Sequence, residues 1–228
     1  MCSSTQVFGY TLRGGTHLNL KNLEVVEQAP LTVALVPFTH HFPYTGREIA
    51  PLWALKTFGI QGDSIIVFRG PLSVLESELV DVKDLVFEGG KGRPVISSKD
   101  AISFIIEHFD QQPPSLRLMY HRLRIIAFLF KELAEEKCGL RLQRDGTDTY
   151  FNGGKLNVGV ATVSSGSGKI HFAINISVEG APPGIKVASL LDLGVSEGEV
   201  ESFAVSLAKR YRREILDVES DVAKSKTF

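Results

Sequence analysis

The sequence feature that most constrains this chain is the stretch Lys155–Ile176, which predicts a β-hairpin. Two runs rich in β-branched residues, 155–163 and 169–176, flank the glycine- and serine-rich segment 164–168. Such runs, separated by turn-forming residues, are typical of antiparallel strands joined by a turn. The chain is therefore expected to fold around a pair of strands whose faces can be derived residue by residue.

The two faces of this hairpin differ in chemistry because successive side chains of a strand point to opposite sides. The apolar face consists of Leu156, Val158, Val160, Ile170, Phe172, Ile174 and Ile176. The other face carries Lys155, Asn157, Gly159, Ala161, His171, Ala173 and Asn175. Symmetric pairing about the turn places Asn157 opposite Asn175 and Gly159 opposite Ala173. This second face suits a ligand or exposure to solvent better than burial under a helix, because a buried polar group without a partner costs about 1–3 kcal/mol.

Composition limits the partners that the chain is expected to have. The 228 residues carry a net charge of −1, with 43% hydrophobic and 22% charged residues, which is ordinary for a globular protein. The near-neutral balance argues against nucleic acid as a partner. No apolar run approaches the ~18 residues of a membrane span, so no membrane partner is expected. Two widely spaced cysteines, Cys2 and Cys138, suit a reducing cytoplasm.

The order of predicted elements indicates one α+β domain over residues 31–222, with an N-terminal extension over 1–30 and a flexible tail over 223–228. Besides the hairpin, strands or extended segments are predicted over 31–38, 64–69, 72–82 and 140–151, and helices over 50–58, 99–109, 115–137 and 196–218. The helix 99–109 depends on Ser97 and Ser98 as N-caps and on isoleucines at helical spacing. Glycine-rich residues 89–92 and 165–169 are interpreted as loops, because neither has the spacing and following helix of a phosphate-binding P-loop.

Asp148 and Lys155 are the residues near the hairpin that best suit chemistry. They lie seven positions apart across the predicted turn 152–154, and Asp148 shares a strand face with Tyr150. A lysine can neutralise charge on a phosphate or carboxylate, and a carboxylate can hold Mg²⁺. The alternative from spacing alone is a surface ion pair worth about 0–1 kcal/mol.

Two other positions each allow two interpretations. Arg69, at a strand end beside Gly70-Pro71, could meet an anion or be a solvated edge residue. His171 could act as a general acid or base, or it could be structural.

Several stretches resemble the catalytic domain of the biotin and lipoate protein ligases. Residues 148–159, Asp-Thr-Tyr-Phe-Asn-Gly-Gly-Lys-Leu-Asn-Val-Gly, look like the centre of that domain, and residues 171–176 are similar to its next strand. The span from about 44 to 218 more specifically resembles a family of uncharacterised proteins in the same superfamily. The stretches that carry this resemblance are Tyr44-x-Gly46, Gly62-Asp63-Ser-Ile-Ile-Val-Phe-x-Gly70, Leu79-Val-Asp-Val-Lys-Asp84, Lys155-Leu-x-Val-x-Val-Ala-Thr162, Ile170-His-Phe-x-Ile-Asn175 and Asp192-Leu-Gly194.

The resemblance implies a mostly antiparallel sheet flanked by helices, a class II synthetase-like fold, with a site on the open sheet face. Lys155 matches the ligase lysine that contacts the carboxylate and phosphate of an acyl-adenylate. Asp148 matches the aspartate at the metal and nucleotide end, so ATP and Mg²⁺ are the implied cofactors. Six further residues are expected to contact the substrate: Arg69, Gly70, Asn157, Gly159, His171 and Asn175.

The sequence also departs from the ligase pattern, and two functional hypotheses follow. Thr147 stands where the ligases have asparagine, Val158 stands where they have glycine, and the Gly-Arg-Gly-Arg-Arg-Gly adenylate loop is absent. One hypothesis is a ligase-like or acyltransferase-like enzyme that binds or activates a small carboxylate or acyl group as an adenylate. The other is a non-catalytic small-ligand-binding or assembly module on the same fold. The expected partner is a small-molecule carboxylate or acyl ligand, and a homodimer is a further option.

Overall fold

The computed structural model describes residues 23–78, 96–182 and 184–226. Most of the predicted extension 1–30, the end of the segment 72–82, the stretch 79–84, the loop 89–92 and the last two residues of the tail lie outside the described residues. Within them the strands are β1 (Glu24–Glu27), β2 (Leu31–Leu35), β3 (Asp63–Val74), β4 (Ile96–His108), β5 (Gln143–Asp145), β6 (Asp148–Phe151), β7 (Gly154–Lys155), β8 (Asn157–Val163) and β9 (Gly168–Asn175). The α-helices are α1 (Trp53–Phe58), α2 (Leu116–Cys138) and α3 (Val200–Lys224).

A six-stranded sheet in the order β1-β2-β3-β4-β9-β8 forms the centre of the domain, and β5-β6-β7 form a second, small sheet. β2 and β3 are parallel, and the other pairs in both sheets are antiparallel. The mostly antiparallel α+β architecture is therefore confirmed. None of the helices in the described ranges combines the length and apolarity that crossing a membrane requires.

Each face of the large sheet is covered by a different layer. On one face, α2 and α3 bury Phe104 and Phe172 beneath side chains such as Leu123 and Phe203. On the other face, the chain from Val36 to Ile60, which includes α1, covers a smaller apolar cluster. The ring of Phe42 lies 5.0 Å from that of Phe68 in an edge-on contact within this cluster. The sheet face that the sequence predicted to be open is thus partly occupied by the protein's own chain.

The long amphipathic helices form where their sequence pattern predicts them. α2 begins after Ser115, whose side chain accepts a hydrogen bond from the Leu118 N–H, and it ends at Gly139 in the left-handed conformation. Ser196 and Glu199 form a capping box, and α3 then runs to Lys224, six residues past its predicted end.

The predicted helix 99–109 is wrong, because this segment belongs to strand β4. The eight residues from Ala101 to His108 are all buried. A strand that lies inside a sheet and is covered on both faces has a continuous apolar run, and such a run cannot be distinguished from a buried helix by periodicity. β3 likewise continues through Gly70-Pro71, where a register shift of the kind found at β-bulges accommodates the proline.

The predicted register of the central hairpin is also wrong, by one residue. Asn157 lies opposite Ile174, and Gly159 lies opposite Phe172. The connecting loop is residues 164–167, closed by a 2.8 Å hydrogen bond from the Ser164 N–H to the Ser167 carbonyl. Loop length fixes hairpin register, and a slip of one residue moves a whole strand to the opposite face. Gly159 therefore faces the helices, while Val158 lies beside Ala173 on the opposite face.

Candidate functional site

The Asp148–Lys155 pair, predicted from the sequence, is assembled on the small sheet. Lys155 Nζ lies 2.8 Å from Asp148 Oδ2, and the two side chains are 29% and 26% exposed. Tyr150 is opposite Lys155 in the register, and its hydroxyl lies 3.5 Å from the same carboxylate oxygen. Burial, and then the negative charge of Asp148, raise the pKa of the Tyr150 phenol. The site therefore presents an ammonium and a protonated phenol, both able to donate hydrogen bonds to an anion.

The turn before Lys155 explains how this pair is brought together. Asn152 and Gly153 both have positive φ, 49° and 76°, as a two-residue type I′ hairpin turn requires. A Cβ on Gly154 would lie 2.7 Å from the Val187 carbonyl, so only glycine allows the segment 186–188 to approach here. The Lys155 N–H donates to the Lys186 carbonyl at 3.0 Å. The backbone of Lys155 is thereby held on both sides.

Asn157 and Asn175, both predicted to bind substrate, contact the backbone around this pair. Asn157 is fully buried; its Oδ1 accepts from the Thr149 N–H and its Nδ2 donates to the Thr147 carbonyl, each at 2.8 Å. Asn175 Nδ2 donates to the carbonyls of Lys155 and Ala188. One amide thus holds the residues flanking Asp148, and the other holds the backbone of Lys155. Their geometry assigns them to positioning the pair.

His171 does not line the same surface as Lys155. It is 1% exposed, its ring stacks on that of Tyr44 with centroids 3.5 Å apart, and its Nε2 lies 3.3 Å from Ser103 Oγ. Burial lowers the pKa of His171 to about 3, so the ring is neutral at ordinary pH. A ligand could reach it only if Tyr44 moved.

Gly159 is not part of an open floor, and this expectation is corrected. A Cβ built on it would lie 2.9 Å from Leu123 Cδ1 of α2 and 3.2 Å from Phe172 Cδ2. The absence of a side chain here lets β8 approach the helix. The cause of the error is the register, because the polar and small positions of β8 and β9 do not fall on one face.

Arg69 and Gly70 are both occupied by other parts of the chain. The Arg69 guanidinium donates to Asp100 Oδ1 at 2.9 Å and also pairs with Glu197. The hydrogen bond that Arg69 donates to Asp100 is the largest cause of the raised pKa of Arg69. A Cβ on Gly70 would lie 2.1 Å from the Phe42 carbonyl oxygen. An anion could use Arg69 only by displacing a carboxylate.

Two features of this region were missed by the sequence reasoning. Asp145 lies directly opposite Asp148 in the β5–β6 register, which places a second carboxylate beside the first. The alternation of side chains along β5 and β6 could have revealed this second carboxylate. Tyr44 was noted only as part of a motif, and nothing in the sequence indicates that it stacks on His171.

A second group of polar residues, Asp63, His108 and Asp110, has ligand-type atoms within 4.8 Å of one another. Its members already have protein partners. His108 Nδ1 lies 3.0 Å from Asp63 Oδ2, His108 Nε2 lies 3.0 Å from the Tyr211 hydroxyl, and Asp110 pairs with Arg122. These bonds connect β3, β4, α2 and α3, which indicates a structural network.

The fold defined by this sheet and its two helices is that of the biotin and lipoate protein ligases. A biotin protein ligase from Aquifex aeolicus, solved in complex with biotin and ATP, is similar with a TM-score of 0.52 and 14% identity, over 79% of this chain and 68% of that one. At this identity the likeness concerns the fold alone.

The chain belongs to the family described as a domain of unknown function, DUF366, whose pattern matches residues 34–226. An uncharacterised protein of Methanocaldococcus jannaschii is 38% identical over 209 residues, which is 92% of this chain and 90% of that protein. A solved protein of unknown function from Pyrococcus horikoshi is 34% identical with a TM-score of 0.77, over 86% of this chain and 99% of that one. The recognition of a ligase-like family of unknown function is confirmed.

Proposed function

We propose that the protein binds a small carboxylate, or the acyl group derived from it, at Lys155, and that it activates the acid as an adenylate with ATP and Mg²⁺. The observation that carries this proposal is the partly exposed Lys155 ammonium, held 2.8 Å from Asp148 within a ligase-like fold. A cation fixed by a neighbouring carboxylate is oriented before the ligand arrives, so binding orders fewer groups.

The residues around Lys155 provide hydrogen-bond donors for the negative charge of the acid or phosphate and oxygen ligands for Mg²⁺. The Lys155 ammonium and the Tyr150 phenol can donate to a carboxylate or phosphate oxygen. Asp148 and the facing Asp145 can supply the oxygen ligands that Mg²⁺ prefers. The nucleotide, when bound, would supply the adenylyl group that the carboxylate takes up, with pyrophosphate as the leaving group. The role of this chain's residues is to hold the acid oxygen and to neutralise its charge.

The proposal is tested by pyrophosphate release and by direct binding. The purified protein is mixed with ATP, Mg²⁺ and a panel of biotin, lipoate and fatty acids. We expect release with at least one acid, and Lys155→Met should reduce it by at least about tenfold, since a hydrogen bond to a charged group contributes about 1.5–3 kcal/mol. Lys99→Met is the matched control, because Lys99 is an exposed strand lysine that forms an ion pair with the exposed Glu179.

The second candidate is a non-catalytic binding module in the same fold. The covered face at Tyr44 and His171 and the lack of a Gly-Arg-Gly-Arg-Arg-Gly loop favour it. Titration calorimetry separates the two: acid binding that depends on Lys155, without pyrophosphate release for any acid, supports the module. Acid binding unchanged in Lys155→Met would contradict both candidates. The cytoplasmic location and a homodimer stay predictions.

A further inference from the structure

A row of polar residues crosses the large sheet on the face covered by α1. Ser64 of β3 lies opposite Glu107 of β4, and Glu107 lies opposite Lys169 of β9. All three are buried, with exposures of 1%, 3% and 2%. Polar residues in register on neighbouring strands share one face about 4.8 Å apart, so the row is a continuous polar strip inside the protein.

The two ends of this row find no hydrogen-bond partner in the part of the chain that the structure describes. Lys169 Nζ and Ser64 Oγ are both inaccessible, and neither has a partner among the described residues. Glu107, between them, is already engaged: its Oε1 accepts from Ser167 Oγ at 2.6 Å and from the Leu52 N–H at 2.9 Å. A buried ammonium without an acceptor is among the costliest groups in a protein interior. An acceptor supplied from outside the chain would remove this cost.

The segment above the row begins at a strained residue. Leu52, which precedes α1, has φ 61° although it is not glycine, and such a conformation costs on the order of 1–3 kcal/mol. Lys56 of the same segment adds positive charge near Lys169. Burial is the largest cause that lowers the pKa of Lys169; the charge of Glu107 opposes it, and the charge of Lys56 adds a smaller lowering effect. The Lys169 ammonium therefore still lacks a direct hydrogen-bond acceptor within the described ranges, although a carboxylate lies on the neighbouring strand.

We infer that Lys169 and Ser64 form a second binding site, for a small carboxylate, beneath the segment Leu52–Phe58. The unsatisfied atoms are an ammonium with three N–H groups and a hydroxyl, so the ligand must bring acceptor oxygens; a metal ion would find only Glu107. The carboxylate pairs with Lys169 and accepts from Ser64, and the segment above it shifts to admit it.

This site is separate from the one proposed at Lys155. Asn175, whose amide contacts the Lys155 carbonyl, lies six residues beyond Lys169 on β9, which corresponds to roughly 20 Å of strand. The stacked pair Tyr44 and His171 lies between them on the same face. The inference therefore does not depend on the proposed activity, and variants of the two lysines distinguish the sites.

The inference is tested by thermal denaturation of the whole protein with acetate, propionate, butyrate or trifluoroacetate, each compared with chloride at equal ionic strength. We expect at least one carboxylate to raise the Tm saturably. Lys155→Met, which removes the ammonium of the first proposed site, should keep a saturable response. Adding Lys169→Met to Lys155→Met should abolish the response to carboxylate, and adding Lys99→Met instead should leave it unchanged.

Two further measurements test the inference even if Lys169→Met fails to fold. The trifluoroacetate ¹⁹F signal should broaden saturably with Lys155→Met protein, and adding the milder Ser64→Ala should weaken that binding several-fold. Absence of saturable binding for every carboxylate would show that buried water alone satisfies these groups, and the inference would be overturned. Carboxylate binding that persists when Lys155→Met and Lys169→Met are combined would overturn it equally.

Discussion

The substitution Asn157→Ala tests whether this residue supports the backbone around Asp148 or contacts a ligand. The side chain is fully buried and makes two 2.8 Å hydrogen bonds, one from the Thr149 N–H and one to the Thr147 carbonyl. Truncation leaves the buried Thr149 N–H without this acceptor, which costs about 1–3 kcal/mol of unfolding free energy. Loss of the hydrogen bond to the partly exposed Thr147 carbonyl costs a further ~0.5–1.5 kcal/mol. The expected loss of unfolding free energy is therefore ~2–4 kcal/mol.

This loss is measured by urea denaturation, followed through the fluorescence of Trp53. A change of this size lowers the Tm of a chain of this length by roughly 5–15 °C. Asn175→Ala is the matched control. The Asn175 amide donates to the Lys155 carbonyl, and this carbonyl also accepts from the Ala188 N–H at 3.0 Å, so it keeps a partner after truncation. We expect the control to cost about 1 kcal/mol. If Asn157→Ala lost less than about 0.5 kcal/mol while ligand binding fell, the positioning role would be refuted and the ligand role predicted from sequence would be favoured.

Two further substitutions test the register and the buried histidine. Gly159→Ala should destabilise the protein by about 1–3 kcal/mol in the same assay, because the new methyl meets Leu123 and Phe172; unchanged stability with impaired ligand binding would instead indicate an open floor. Burial lowers the pKa of His171 from 6.5 to about 3, so between these values the unfolded state binds a proton that the folded state does not. Stability should therefore fall as the pH drops below about 6.5, by up to about 1.4 kcal/mol per pH unit, and His171→Gln should remove this contribution from the measured slope. Equal slopes for wild type and variant would contradict the burial of His171.

Local signals predicted the amphipathic helices well. The helices predicted over 115–137 and 196–218 occur as α2 and α3, with ends shifted by one to six residues. β4 was mistaken for a helix because an isoleucine spacing of three and four residues also arises when every position of a strand is buried. Whether a run is covered on one face or on both depends on neighbours that are distant in sequence.

The candidate site was predicted in part, for a similar reason. Lys155 and Asp148 are joined by a short turn whose residues specify its geometry, so their pairing follows from local sequence. The surroundings of His171 and Lys169 depend on the chain segment that covers the sheet. That segment lies more than a hundred residues away in the sequence, and no periodicity within the hairpin predicts its position.

The sequence by itself determined the ligase-like family, the α+β class, the two long helices and the Asp148–Lys155 pair, because each follows from residues close together along the chain or from a shared pattern. Only the tertiary structure decided the hairpin register, the face on which Gly159 lies and the burial of Lys169 without a hydrogen-bond partner among the described residues. The physical reason is that an apolar or polar strand residue has no fixed environment until the layers above and below its sheet are in place.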